Sequence, residues 1–167
     1  MLTAAQLDKD LLMATVGRHV PALLDGQLIY TFDCRQFLPT ALPYEEGMHT
    51  GCHPALFNRV VMHKNFSPLM LKVRSLLQDD KEMQRSSVSL MLCDADGRHG
   101  SMSIAKALAE CIASDSSLAL GTVHILADQH SEAYCGVCAR CEFWTRRWSS
   151  RNIAVKDVKE LWFGPSE

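Results

Sequence analysis

The sequence predicts an α/β protein: a single domain on a mostly parallel sheet, with a βαβ crossover, helices on both faces and a small cysteine-containing C-terminal appendage. Three observations carry this. Residues 88–92 (Val-Ser-Leu-Met-Leu) and 120–126 (Leu-Gly-Thr-Val-His-Ile-Leu) are short apolar runs of strand type. Between them Ile104, Ala105, Leu108, Ala109 and Ile112 recur at helical spacing. Past residue 126 the composition shifts to cysteine, arginine and aromatic residues. Strand, helix and strand over about 40 residues form a crossover, which joins parallel strands. The expected organisation is a helical extension over 1–27, an α/β domain over 28–126 and an appendage over 127–167.

The elements follow in order. Thr3-Ala4-Ala5-Gln6 has a capping-box pattern, and Leu7, Leu11, Leu12 and Val16 fit a helix ended by Gly17. Residues 28–33 (Leu-Ile-Tyr-Thr-Phe-Asp) are β-branched and aromatic, as a strand is. Residues 39–54 hold Pro39, Pro43, Gly47, Gly51 and Pro54 and read as a loop. From 66 to 78, Phe66, Met70, Val73 and Leu77 line one helical stripe, with Pro68 tolerable in the first turn. Residues 79–87 are charged and polar, a solvated connection. Residues 155–163 end the chain in a short helix or strand, with Trp162 and Phe163 docking on the core.

Composition narrows the class. A chain of 167 residues with 47% hydrophobic and 22% charged residues is ordinary globular material, so collagen-like, coiled-coil and fully disordered forms are excluded. A chain of this length hides roughly 70% of its unfolded surface, which allows one complete core. A net charge of -2 excludes a strongly basic protein but not a local basic patch. No apolar run reaches the roughly 18 residues of a membrane span, and the first ten residues lack a secretory pattern. Seven cysteines, an odd number, fit reduced thiols better than a disulfide framework. A cytoplasmic protein is the expectation.

The chemistry should lie in the loop Cys93-Asp94-Ala95-Asp96-Gly97-Arg98-His99-Gly100-Ser101. Ligands of open parallel sheets gather outside the carboxyl ends of strands, where this loop sits. It leads into a helix N-terminus, whose unpaired amides and dipole favour an anion. Gly97 and Gly100 allow close approach, Ser101 caps the helix, and Arg98 and His99 add donors suited to phosphate. Asp33 and Arg35, at the end of another strand, can line the same crevice or form a plain surface ion pair. A strand-to-helix turn with no ligand uses the same residue types. A Walker A loop is excluded because no lysine stands there. A cysteine-phosphatase loop needs one more residue than the four between Cys93 and Arg98, so Cys93 reads as a buried strand-end thiol.

These residues resemble the C-terminal domain of the RNase adapter protein RapZ family. The family's loop runs from an apolar strand through Gly-Cys-Thr-Gly-Gly, a basic or polar residue and His-Arg-Ser into an Ile-Ala-x-x-Leu-Ala helix. Here Cys93 to Ser101 precede Ile104-Ala105 and Leu108-Ala109. Asp33-Cys34-Arg35-Gln36-Phe37 is similar to the family's Asp-x-Arg-x-Phe, Thr50-Gly51 to its Thr-Gly, and Val123-His124 to its late strand and histidine. The resemblance spans about residues 28–126. It implies a domain that binds small regulatory RNA and an amino-sugar phosphate. In full-length members it follows a P-loop kinase-like domain, which has no counterpart in these residues. Asp94, Ala95, Asp96 and Gly100 depart from the pattern, adding two acids and removing one guanidinium.

Two further groups stand out near the C-terminal end. Cys135, Cys138 and Cys141 are spaced as a thiolate knuckle, with His130 placed to complete four zinc ligands and Cys52, His53 or His124 as more distant donors. A reduced thiol cluster is the alternative. His49, Cys52 and His53 could also take a metal, or be solvated loop residues. Arg140, Arg146, Arg147 and Arg151 interleave with Phe143, Trp144 and Trp148, a mixture that can contact RNA or pack as an amphipathic element. The leading functional expectation is a binding module for a phosphate-bearing small molecule, nucleotide or RNA, with no catalytic residue assigned. The alternatives are a metal-assisted phosphate-ester enzyme using Asp94 or Asp96 with His99, and a zinc-stabilised interaction protein. A homo-oligomer is compatible with the sequence, and the protein partner is not specified by it.

Overall fold

The computed structural model describes residues 10–16, 29–38, 47–82, 87–95, 97–118, 123–127, 138 and 153–164. Strand β1 is Asp10–Val16, β2 is Ile29–Asp33, β3 is Ser87–Cys93 and β4 is Val123–Ala127. They form a four-stranded sheet in the order β2-β3-β1-β4. Every pairing is parallel, with Val16 opposite Cys93, Asp33 opposite Cys93, and Thr15 opposite Ala127. The parallel crossover is present, but β3 and β4 are not neighbours, because β1 lies between them.

That position corrects the expected N-terminal helix. Residues 10–16 form a strand bonded on both sides, so the sheet's interior includes a segment assigned above to a separate extension. Leu11-Leu12-Met13-Ala14-Thr15-Val16 is a nearly unbroken apolar run. Such runs are common in the strands of parallel sheets, and a short run satisfies a helical stripe equally well.

The helices are α1 (Pro54–Val61), α2 (Phe66–Glu82), α3 (Gly100–Ser114) and α4 (Ile153–Phe163). The predicted loop over 39–54 hid the start of α1, which Pro54 opens at its first position and which buries Leu56, Phe57 and Val60. Helix α2 buries the predicted stripe of Phe66, Met70, Val73 and Leu77. It then continues through Glu82, so Asp79, Asp80, Lys81 and Glu82 are helical rather than a connection. Helix α3 is buried nearly all round, from Gly100 to Ile112. It packs on β1, β3 and β4 and also against α1 and α4, which leaves only a narrow stripe of Lys106, Ala109, Glu110 and Ala113 toward solvent.

Asp115 ties three helices together at the end of α3. Its carboxylate accepts from the Trp162 indole (2.8 Å) and from the Ser117 amide (3.0 Å) and hydroxyl. Arg74 Nε of α2 stands 3.5 Å away, an electrostatic contact. Trp162 is wholly buried, as expected, whereas Phe163 is exposed and does not dock. Burial works to raise the Asp115 carboxyl, but the bonds from Ser117 and Trp162, together with Arg74, outweigh it and hold the group below its ordinary value of 3.8. A carboxyl depressed in the folded state stabilises the fold above its unfolded value, and that stabilisation is lost as pH falls through the folded value. Thermal melts should therefore drop as pH falls below about 4. Asp115→Asn should flatten that profile, and parallel profiles for the two proteins would refute the assignment.

Candidate functional site at the carboxyl edge of the sheet

Strands β2 and β3 end side by side. The Cys34 amide donates to the Cys93 carbonyl at 2.6 Å, which carries the pairing one residue past the sheet. The chain after β2 turns through Arg35–Phe37, where Phe37 is buried in the core. The chain after β3 runs through the 93–101 loop into α3. The two ends touch: a Cβ on Gly100 would lie 3.0 Å from the Cys34 carbonyl oxygen.

Within the loop, Asp94 is buried and its carboxylate is the helix cap. One oxygen accepts from the Gly97 amide, the other from the Ser101 amide (2.8 Å) and hydroxyl (2.9 Å). Gly97 has φ 73°, a left-handed conformation open to glycine at little cost, and this bends its amide onto Asp94. The expectation that Ser101 caps the helix and contacts an external anion is corrected here, since its amide and hydroxyl both donate to Asp94. An internal carboxylate takes the place at the positive end of α3, and His99 holds the N-cap position without a side-chain cap bond. Asp94 is likewise turned inward rather than placed as a general base or an exposed metal ligand. Ala95 is exposed, and Asp96 lies outside the described residues.

Arg98 and His99 point to a third segment, the turn over residues 47–53. Arg98 Nη2 donates to the Met48 carbonyl at 3.3 Å, and His99 Nε2 lies 3.3 Å from the Gly47 carbonyl. The backbones are clasped more tightly. The Gly51 amide donates to the Arg98 carbonyl (2.7 Å), and the Ser103 hydroxyl donates to the Gly51 carbonyl (2.8 Å). Thr50 is buried, and its carbonyl accepts from the His53 amide at 2.9 Å. Sequence reasoning missed Ser103, whose only signal was a hydroxyl one turn into a helix.

Asp33 and Arg35 stand at the rim as an exposed bidentate pair, with Arg35 Nε and Nη2 donating at 2.9 and 2.6 Å. The hydrogen bonds from Arg35 hold the Asp33 carboxyl down at about 2. Exposed pairs of this kind add little stability. Burial, with Asp33 and Asp94 nearby, pushes the Cys93 thiol above its ordinary value. Buried Cys34 is pushed up for the same leading reason.

On the far side of the 47–53 turn, His49 and His53 stack with ring centroids 4.1 Å apart and planes inclined by 17°. Cys138 joins them, and the three donor atoms lie within 4.8 Å of one another, a group that could hold a metal ion. Of the expected ligands Cys135, Cys138, Cys141 and His130, Cys138 alone is among the described residues. Arg140, Arg146, Arg147 and Arg151 also lie outside them. Among the described residues no helix is long and apolar enough to cross a membrane. No protein-family model matches the chain, and a search of curated proteins finds no match.

Proposed function

We propose that this protein is a binding module, similar to the RapZ C-terminal domain, that takes a phosphate-bearing ligand at the carboxyl edge of its sheet. One observation supports this above the others. The three segments that carry the resemblance (Asp33-Cys34-Arg35, Thr50-Gly51 and residues 93–101) are distant in sequence yet meet at one edge. Because Asp94 occupies the helix end, the ligand's phosphate is met by side chains: Arg98 and His99, with Arg35 at the rim. The bonds of Arg98 and His99 to backbone carbonyls are long, at 3.3 Å. Charge-assisted bonds to phosphate are shorter and roughly twice as strong, so an anion competes well for these donors. RNA contact through Arg140, Arg146, Arg147 and Arg151, helices on both sheet faces and a cytoplasmic setting belong to the same reading.

A thermal-shift panel of inorganic phosphate, amino-sugar phosphates, nucleotides and short RNA tests it, with chloride at matched ionic strength as control. A ligand at a hundred times its Kd stabilises by about 2.7 kcal/mol, which in a chain of this size is a rise of about 5–10 °C. Arg98→Ala or His99→Ala should abolish the rise. A panel in which nothing exceeds the chloride control refutes the reading.

A further inference from the structure

We propose that His49, His53 and Cys138 form a zinc site that fastens the cysteine-rich C-terminal segment to the 47–53 turn. The donor set is the first argument. Two imidazoles and a thiolate suit Zn²⁺, whereas the hard oxygen donors that calcium or magnesium require are not part of the group. The geometry is the second. Tetrahedral zinc, with bonds of 2.0–2.3 Å, separates its ligand atoms by about 3.3–3.7 Å. Donors already within 4.8 Å of one another lie about 1 Å or a little more from that spacing.

The surroundings hold two of the ligands ready. His53 is the N-cap of α1, followed by Pro54, and its backbone amide is bonded to Thr50. Gly51, next to Thr50, is pinned in turn to the 93–101 loop and α3. His49 and His53 therefore stand on a turn braced by the core, and the third ligand arrives from a segment more than eighty residues later in the chain. A metal there cross-links distant parts of the chain, which is how structural zinc contributes to folding.

His53 has a competing role. Its Nδ1 accepts the Ala55 amide at 3.3 Å, so a neutral ring carries its proton on Nε2. Coordination through either nitrogen displaces that long cap bond, and zinc binding releases a proton from Cys138. Affinity should accordingly fall as pH is lowered.

The test uses the full chain, stripped with chelator and reloaded with zinc or Co²⁺. The expected result is one zinc per chain, an X-ray absorption shell of mixed nitrogen and sulfur donors, and a thiolate-to-cobalt charge-transfer band. Cys138→Ser should remove the band. His49→Ala and His53→Ser should each weaken binding by about 100-fold, since even outer-shell changes cost 10–100-fold. Serine at position 53 preserves an N-cap and so separates ligation from folding. The absorption measurement on the unaltered protein decides the matter even where a variant fails to fold. An all-sulfur shell, no bound zinc, or His49→Ala and His53→Ser proteins that bind as tightly as the parent would overturn the proposal.

Discussion

Gly51→Ala should destabilise the protein by about 3–5 kcal/mol, enough to leave much of it unfolded if its total stability is ordinary. A Cβ at this position would overlap the His99 carbonyl oxygen outright, and would stand 2.6 Å from the Ser103 amide nitrogen and 2.7 Å from its hydroxyl. Two of these three obstacles are backbone atoms, so no rotamer change relieves them. Overpacking costs about 1–3 kcal/mol where side chains can adjust, and more where the backbone has to move. The clasp adds to that, because separating the segments lengthens the bonds between Gly51 and Arg98 and between Ser103 and Gly51. Urea denaturation of the purified variant gives the measurement. Gly100→Ala is the control, since its nearest obstacle lies at 3.0 Å and its effect should be the smaller. A Gly51→Ala protein as stable as its parent would mean that the turn is not held against α3.

The elements that could be read from sequence are those whose signal is local. Helix α2 announced itself through Phe66, Met70, Val73 and Leu77, and all four are buried. The strand, loop and helix over 87–114 carried turn residues between two clear periodicities. Strand β1 was misread because its identity is decided by partners from β3 and β4, more than seventy residues away, and not by its own pattern. Helix α1 lay in a proline-rich stretch, yet Pro54 with Leu56, Phe57 and Val60 is a start signal and a buried stripe.

Asp33, Arg35, Thr50, Gly51 and the 93–101 loop gather at the carboxyl edge of the sheet, but the bonds among them are not legible in the letters. Composition could not say which carboxylate would turn inward. Asp94 and Asp96 look equivalent as letters, and only the bend at Gly97 shows that the first one folds back over the helix start. The partnership of Cys138 with His49 and His53 was beyond reach for the same reason as β1, being a contact between distant segments.

Asp94→Ala, the second large effect, should cost about 3–4 kcal/mol, because it removes a buried charged acceptor from three donors at once. Each hydrogen bond to a charged group contributes about 1.5–3 kcal/mol, but bonds sharing one carboxylate do not add, and water reaches part of the vacated space. Asp94→Asn should lose roughly half as much, since its oxygen can still face Ser101 while its amide meets the Gly97 N–H as one donor facing another. The same substitution separates two ways of holding an anion. In the parent, Asp94 answers the positive end of α3 and takes up the amides of Gly97 and Ser101. In Asp94→Ala the amides of Gly97 and Ser101 become available, and sulfate or phosphate should restore stability more strongly than in the parent. That gain should survive when His99→Ala is added, because it rests on backbone donors. If the anion stabilises the two proteins equally, the vacated helix end attracts no anion and Asp94 acts only as a packing group. If Asp94→Ala lies within about 0.5 kcal/mol of the parent, the cap itself is refuted.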